Sequence, residues 1–121
     1  LDFYKKSLAI MKQHLPSNHS DIACSHNNIG FVYSNLNKYD LAMKHHQRSL
    51  EMNLKSLPGD HPDIANSYTN IALIHEEKRE WKEALELFEK ALRIRQHAFS
   101  SQHPDVLQVK ANIERVSANL K

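Results

Sequence analysis

A short segment of this chain recurs three times, and the spacing of its copies limits what the chain can fold into. The segment reads LPGDHPDIA at residues 57–65, LPSNHSDIA at residues 15–23 and, in a shorter form, SSQHPDV at residues 100–106. The histidine of each copy follows the previous one by 42 residues, at positions 19, 61 and 103. A fixed period of this size indicates an array in which each unit buries its apolar face only against its neighbours.

Three further sets of positions keep the same spacing, so the periodicity runs through whole units. They hold asparagine at 28, 70 and 112, isoleucine at 29, 71 and 113, and leucine at 8, 50 and 92. We therefore treat residues 42 apart as occupying one slot of the repeat.

Apolar residues at helical spacing predict about six helices joined by short turns. In the first helix, for example, Tyr4, Leu8 and Met11 lie on one face. The predicted helices are Leu1 to His14, Asp21 to Leu36, Tyr39 to about Lys55, one beginning at Pro62, Trp81 to about Ala98, and Asp105 to Leu120. These helices form a single predicted array over residues 1–121. It consists of the second helix of a truncated repeat (1–14), two full repeats (20–56 and 62–98) and a C-terminal capping helix (104–121).

The last helix differs from its counterparts in a way that indicates an end of the array. Glu114 occupies the slot of Gly30 and Ala72, and Lys110 occupies the slot of Tyr68. Terminal units need a polar outer face. We therefore expect the C-terminal helix to be a cap, whereas the first helix, which has no partner helix before it, is expected to be a cut edge.

Composition excludes several classes of function. The net charge of +2 is small and the basic residues are scattered, which argues against nucleic acid as a partner. The longest apolar runs are only a few residues, too short to span a membrane. The single cysteine, Cys24, allows no intramolecular disulfide and fits a reducing, cytoplasmic compartment.

The slots within one unit resemble the tetratricopeptide repeat. The residues that carry the resemblance are Tyr68, Ile71, Ala72, His75, Ala84, Phe88 and Ala91. The 42-residue period and the LPxxHPDIA segment are similar to the subtype found in kinesin light chains. The resemblance implies a right-handed α-solenoid of antiparallel helix pairs. It also implies a non-catalytic protein–protein interaction module with no cofactor.

Three departures from the family pattern indicate a looser middle repeat. Arg79 stands in a turn where the subtype usually has glycine, His46 replaces the usual aromatic residue, and Ser49 replaces the usual alanine.

The resemblance further implies that the first helix of each pair lines a concave groove that binds an extended peptide or a partner helix. The candidate groove residues are Asn27, Asn28, Phe31, Asn35, Asn66, Thr69, Asn70, Leu73, Glu77, Gln108, Asn112 and Arg115.

Two alternatives remain for the asparagines of slot 28/70/112. An asparagine amide both donates and accepts, so these residues suit the main chain of a bound peptide. The other reading is that they bridge neighbouring helices. Phe31 and Leu73 present the same choice, because they are either apolar pockets of the groove or core residues packed between repeats.

Nine histidines raise the question of a metal site, but no pair of them has a convincing ligand pattern. We expect His19, His61 and His103 to cap helices or to bond within their turns. The sequence contains no phosphate loop and no nucleophile motif, so we predict no metal, no cofactor and no catalytic site.

The sequence alone leaves other classes of function open. The array could serve as a spacer between domains, or as the accessory region of a larger protein. A third alternative is self-association through the first helix. Its apolar face, formed by Tyr4, Leu8 and Met11, would be exposed at the cut edge.

Deleting Leu1 to His14 is predicted to destabilise the remaining chain, because it uncovers the apolar stripe around Ile22 and Ile29. The expected result is a lower midpoint of thermal unfolding, followed by circular dichroism. A midpoint that the deletion leaves unchanged would contradict this prediction.

Overall fold

Helices dominate the part of this chain that the computed structural model describes, residues 4–9 and 20–120. Residues 4–9 belong to a first helix, α1. The others are α2 (Ser20–Asn35), α3 (Tyr39–Ser56), α4 (Pro62–Glu77), α5 (Trp81–Ala98) and α6 (Pro104–Ala118). These bounds lie within two residues of the predicted ones, which confirms the all-α class. No helix in these ranges is long and apolar enough to cross a membrane.

The chain divides into two compact units. Unit 1 is Leu1–Leu57 and unit 2 is Pro58–Lys121. In unit 1, α2 packs against α3. In unit 2, α5 packs against both α4 and α6.

The core of unit 2 is apolar and close-packed. Phe88 of α5 is fully buried, and small residues around it allow the helices to approach closely. The buried cluster comprises Ala65, Ala72, Ala84, Phe88, Ala91, Val109 and Val116. Within α5, the buried residues Ala84, Phe88 and Ala91 follow one another at the helical spacing from which the helices were predicted.

The core of unit 1 uses the same slots with more polar residues. Ile22, Ile29 and Ala42 are fully buried. His46 is also buried, in the slot that Phe88 occupies in unit 2, and Ser49 is buried in the slot of Ala91. The interface between α2 and α3 is therefore the polar version of the interface between α4 and α5.

The described part of α1 does not expose its apolar face as predicted. Leu8 is 7% exposed and Tyr4 is half-buried. The prediction that Leu8 is open for self-association is therefore wrong, because this side chain is covered within the chain. Met11 lies outside the described residues.

Histidine caps begin two of the helices. The Nδ1 atom of His61 accepts a hydrogen bond from the backbone N–H of Asp63 at 3.0 Å. His103 accepts in the same way from Asp105 at 3.1 Å. Each satisfies an N–H that the first turn leaves without a helical partner, and a proline follows at the position that needs no N–H. The predicted cap role is confirmed for both; His19 lies outside the described ranges.

Helices α2 and α4 are each followed, two residues after their last residue, by a residue in the left-handed region. Asn37 has φ of 60° and Arg79, in the same slot, has φ of 61°. The N–H of Lys38 donates to the carbonyl of Tyr33, and that of Glu80 donates to His75. This is the Schellman arrangement, whose left-handed position favours glycine. By contrast, Gly59 in the turn before α4 does not have a positive φ.

Replacing Arg79 with glycine is expected to stabilise the chain by about 1 kcal/mol, because it removes the contact between Cβ and the backbone that strains a left-handed residue. Urea denaturation measures the change. Arg79→Lys is the matched control; it keeps the charge and the strain, so its stability should equal that of the wild type. A glycine variant less stable than the wild type would contradict the assignment.

Candidate functional site

The exposed face of α2 carries three of the candidate groove residues. Asn28, Phe31 and Asn35 follow one another at helical spacing, so they lie on one side of the helix. All three are exposed, and the Phe31 side chain is 47% exposed. Large aromatic side chains usually gain from burial, so this row offers both apolar surface and amide groups to a ligand.

A buried histidine of α3 packs beneath this face of α2. The Nδ1 atom of His46 donates a hydrogen bond to the side-chain oxygen of Asn27 at 3.0 Å. The ring of Phe31 meets the His46 ring edge-on, with 5.2 Å between centroids. Two candidate groove residues are thus held by one side chain of α3.

Gly30 makes room for the histidine ring. A Cβ atom at this position would lie 2.6 Å from His46 Nε2, too close for any real contact. Unit 2 fills the same pair of slots with Ala72 and Phe88. Burial, with a smaller contribution from neighbouring His45, lowers the pKa of His46 to about 4. The ring is therefore neutral at pH 7.

The corresponding face lies on α4 in unit 2. Leu73 is 39% exposed, between the half-buried Asn70 and the exposed Glu77. Thr69 is buried, and its hydroxyl donates to the carbonyl of Ala65 at 2.9 Å. The Thr69 hydroxyl is therefore engaged within α4 and is not presented at the surface.

Arg95 organises this unit and was not singled out by sequence analysis. It is 4% exposed, and its guanidinium donates to the side-chain oxygen of Asn66 and to the carbonyl of Asp105, both at 3.1 Å. The arginine thus connects α5 to α4 and to the start of α6. Burial lowers the pKa of Arg95, and nearby Asp105 opposes that shift. The sequence feature that could have identified Arg95 is its slot, because the equivalent position in unit 1 also holds a polar residue, Asn53. The structure shows that both residues are buried.

Arg115 of α6 is engaged by a carboxylate of α4. Its Nε and Nη2 atoms donate to the two oxygens of Glu76 at 2.5 and 2.7 Å. The hydrogen bond that Arg115 donates to Glu76 raises the pKa of Arg115. Such a bidentate pair fixes the orientation of both side chains, and the carboxylate balances the positive charge of Arg115. Arg115 is therefore not a free cation for a ligand.

The asparagine slot differs in exposure from one repeat to the next. Asn28 is exposed, Asn70 is half-buried and Asn112 is buried. Asn112 therefore favours the helix-bridging alternative, whereas Asn28 is open to ligand contact. The exposure of Phe31 and Leu73 likewise favours the groove alternative for that slot.

Within residues 4–9 and 20–120, no group of three or more histidine, cysteine, aspartate or glutamate side chains is placed to hold a metal ion. His26 and His45 instead contact each other, and His45 and His46 contact the rings of Tyr33 and Phe31, respectively.

Comparison with known proteins identifies related repeats. The family model described as tetratricopeptide repeat matches residues 21–97 and 63–115. No curated protein sequence matches the chain significantly. The crystal structure of nearly identical TPR-like repeats, assigned to a kinesin light chain of Podosopora anserina, is 21% identical with a TM-score of 0.89. It covers 98% of this chain and 56% of its own.

A second similar structure is BtubC (BKLC) from P. vanneervenii, which is 22% identical with a TM-score of 0.90 and covers 98% of this chain and 48% of its own. The chain thus spans about half the length of these solved structures. At this identity the likeness establishes the fold.

Replacing Gly30 with alanine is expected to destabilise the chain by about 1–3 kcal/mol, because the new methyl group overlaps the His46 ring. In an ordinary helix interior the same change stabilises by about 1 kcal/mol, so the sign of the effect is diagnostic. Urea denaturation provides the measurement. Gly59→Ala is the control, since nothing lies within 4 Å of its Cβ position. A Gly30→Ala chain as stable as the wild type would exclude this packing.

Proposed function

Because this chain belongs to the tetratricopeptide repeat family, in an array of the kinesin-light-chain-like kind, we propose that it is a non-catalytic module that binds an extended peptide or a partner helix on the faces of α2 and α4. Tetratricopeptide repeats are generally protein-interaction modules. The finer proposal concerns which surface binds and what chemistry it recognises.

One observation carries the proposal: the same slots of both units present an amide, a large apolar side chain and a polar group in that order. In unit 1 these are Asn28, Phe31 and Asn35. In unit 2 they are Asn70, Leu73 and Glu77. Phe31 and Leu73 are exposed despite their size, and a repeated exposed apolar residue supports a role in contact with a partner.

The chemistry of each face suits a peptide. An asparagine amide donates and accepts, so it pairs with a peptide main chain whatever the side chains are. Each face can then bury one apolar side chain of a ligand, against Phe31 in unit 1 or against Leu73 in unit 2. A partner helix is the alternative ligand, and it would use mainly the apolar contacts because its main chain is already paired.

Charge refines the ligand class. Among the candidate residues of unit 2, Arg115 is paired with Glu76, and Glu77 is exposed. An acidic peptide would meet Glu77 without gaining a free arginine. We therefore propose a neutral or basic peptide with apolar side chains as the ligand.

Replacing both Asn28 and Asn70 with alanine is expected to weaken peptide binding by about tenfold or more, because each lost amide removes about 1 kcal/mol of hydrogen bonding. The measurement is fluorescence polarisation with a library of short unstructured peptides at two salt concentrations. Helix content, measured by circular dichroism, should not change.

The matched control replaces two exposed carboxamides of the second helices, Gln47→Ala and Gln96→Ala, and should bind as the wild type does. Peptide binding that survives the asparagine double substitution would remove these faces as the binding surface. The absence of binding by the wild type across the library would count against the proposal as a whole.

A further inference from the structure

Unit 1 places histidines at three slots of the interface between its helices where unit 2 has none. His26, His45 and His46, called here the histidine cluster, occupy the slots of Tyr68, Leu87 and Phe88. His26 is 3% exposed and His46 is 1% exposed. The two units therefore share one packing scheme, but only the α2–α3 interface of the described chain carries this histidine cluster.

The cluster is connected within the interface. The Nδ1 atoms of His26 and His45 lie 3.0 Å apart, and their ring centroids lie 5.2 Å apart. His45 also stacks on Tyr33 of α2, with 5.6 Å between centroids. His46 packs its other edge against the backbone at Gly30.

The contact between His26 and His45 requires that at least one of the two rings is neutral. A hydrogen bond between two ring nitrogens needs one N–H donor and one bare nitrogen acceptor. If both His26 and His45 are protonated, two N–H groups and two positive charges face each other at 3.0 Å. A charged His46 would stand in a slot with almost no access to water, which is strongly unfavourable.

Besides the histidines themselves, α2 and α1 each bring one titratable group to this side of the interface. Tyr33 of α2 stacks on His45, and the Lys5 ammonium of α1 lies 5.5 Å from the centre of the Tyr33 ring.

We propose that the histidine cluster makes the α2–α3 pair open at mildly acidic pH, so that unit 1 releases its ligand there while α4 and α5 stay packed. The opening itself is a property of the interface; the release of ligand rests on the function proposed above. His46 connects the two, because it holds Asn27 by a hydrogen bond and Phe31 by a ring contact.

The direction of the pH effect follows from where the proton binds. The pKa of His46 is lowered from 6.5 to about 4 by burial and by His45, so the folded unit keeps this ring neutral down to about pH 4. The opened unit takes up the proton below about pH 6.5. Stability is therefore fully present above that pH and falls as the pH drops from 6.5 toward 4. At pH 5 this one residue favours opening by about 30-fold relative to pH 7.5.

Hydrogen–deuterium exchange of the full chain at pH 7.5 and 5.0, corrected for the intrinsic exchange rate, tests the opening without any ligand. The opening constant for amides of α3 should rise about 30-fold or more at the lower pH. His46→Phe copies unit 2 and should remove most of that rise, with His46→Gln as a second uncharged variant. His97→Gln, at an exposed position of α5, is the control and should leave the rise unchanged.

A triple variant separates the cluster from general acid effects. The substitutions His26→Tyr, His45→Leu and His46→Phe together give unit 1 the residues that unit 2 has in these three slots. In this variant α2 and α3 should become no more acid-sensitive than α4 and α5. Equal acid-induced opening in the wild type, in both His46 variants and in the triple variant would overturn the proposal, as would a wild type that does not open.

Ligand release is tested with a peptide found in the polarisation library. Its dissociation constant is measured by titration at pH 7.5 and at pH 5.0. Tight binding at pH 7.5 that weakens at pH 5.0 in the wild type but not in His46→Phe supports acid release. A dissociation constant that is independent of pH, together with acid-induced opening, would overturn release. If no peptide binds at pH 7.5, the proposed function fails, and exchange alone then decides whether the acid-sensitive interface exists.

Discussion

The contact between a small residue on the first helix of a pair and a ring on the second is the interaction on which each unit depends. In unit 2, Ala72 lies in the core with Phe88. In unit 1, Gly30 accepts the ring of His46 at a distance that no Cβ would allow. This contact sets how closely two helices approach, and their closeness determines which of the neighbouring side chains are buried and which remain at the surface.

The same contact links stability to function in unit 1. His46 is buried like a core residue, yet it donates to Asn27, a candidate groove residue, and touches Phe31 of the proposed ligand face. Replacing phenylalanine by histidine in this slot keeps a flat ring but adds a nitrogen that binds protons. The His46 ring therefore packs as phenylalanine does in unit 2 and also carries nitrogens that can bind protons.

Much of the fold could be predicted because its signals are local and repeat along the chain. Helix positions follow from apolar spacing, and the caps at His61 and His103 follow from a recurring histidine before a helix start. The burial of Thr69, the coverage of Leu8 and the pairing of Arg115 with Glu76 could not be predicted. Each of these depends on the distance between residues far apart in sequence or on how closely a side chain is covered. The pattern of equivalent slots contains no information about either quantity.

The sequence by itself therefore determined the helices, their order, their caps and the equivalence of slots 42 residues apart, because those depend on neighbours within a few turns of chain. Only the tertiary structure decided that Arg95 connects three helices, that the asparagine slot is open at Asn28 and closed at Asn112, and that three histidines meet in one interface. The physical reason is that burial and charge pairing depend on the separation of side chains after the helices pack, and residues in equivalent slots acquire different surroundings when their neighbours differ.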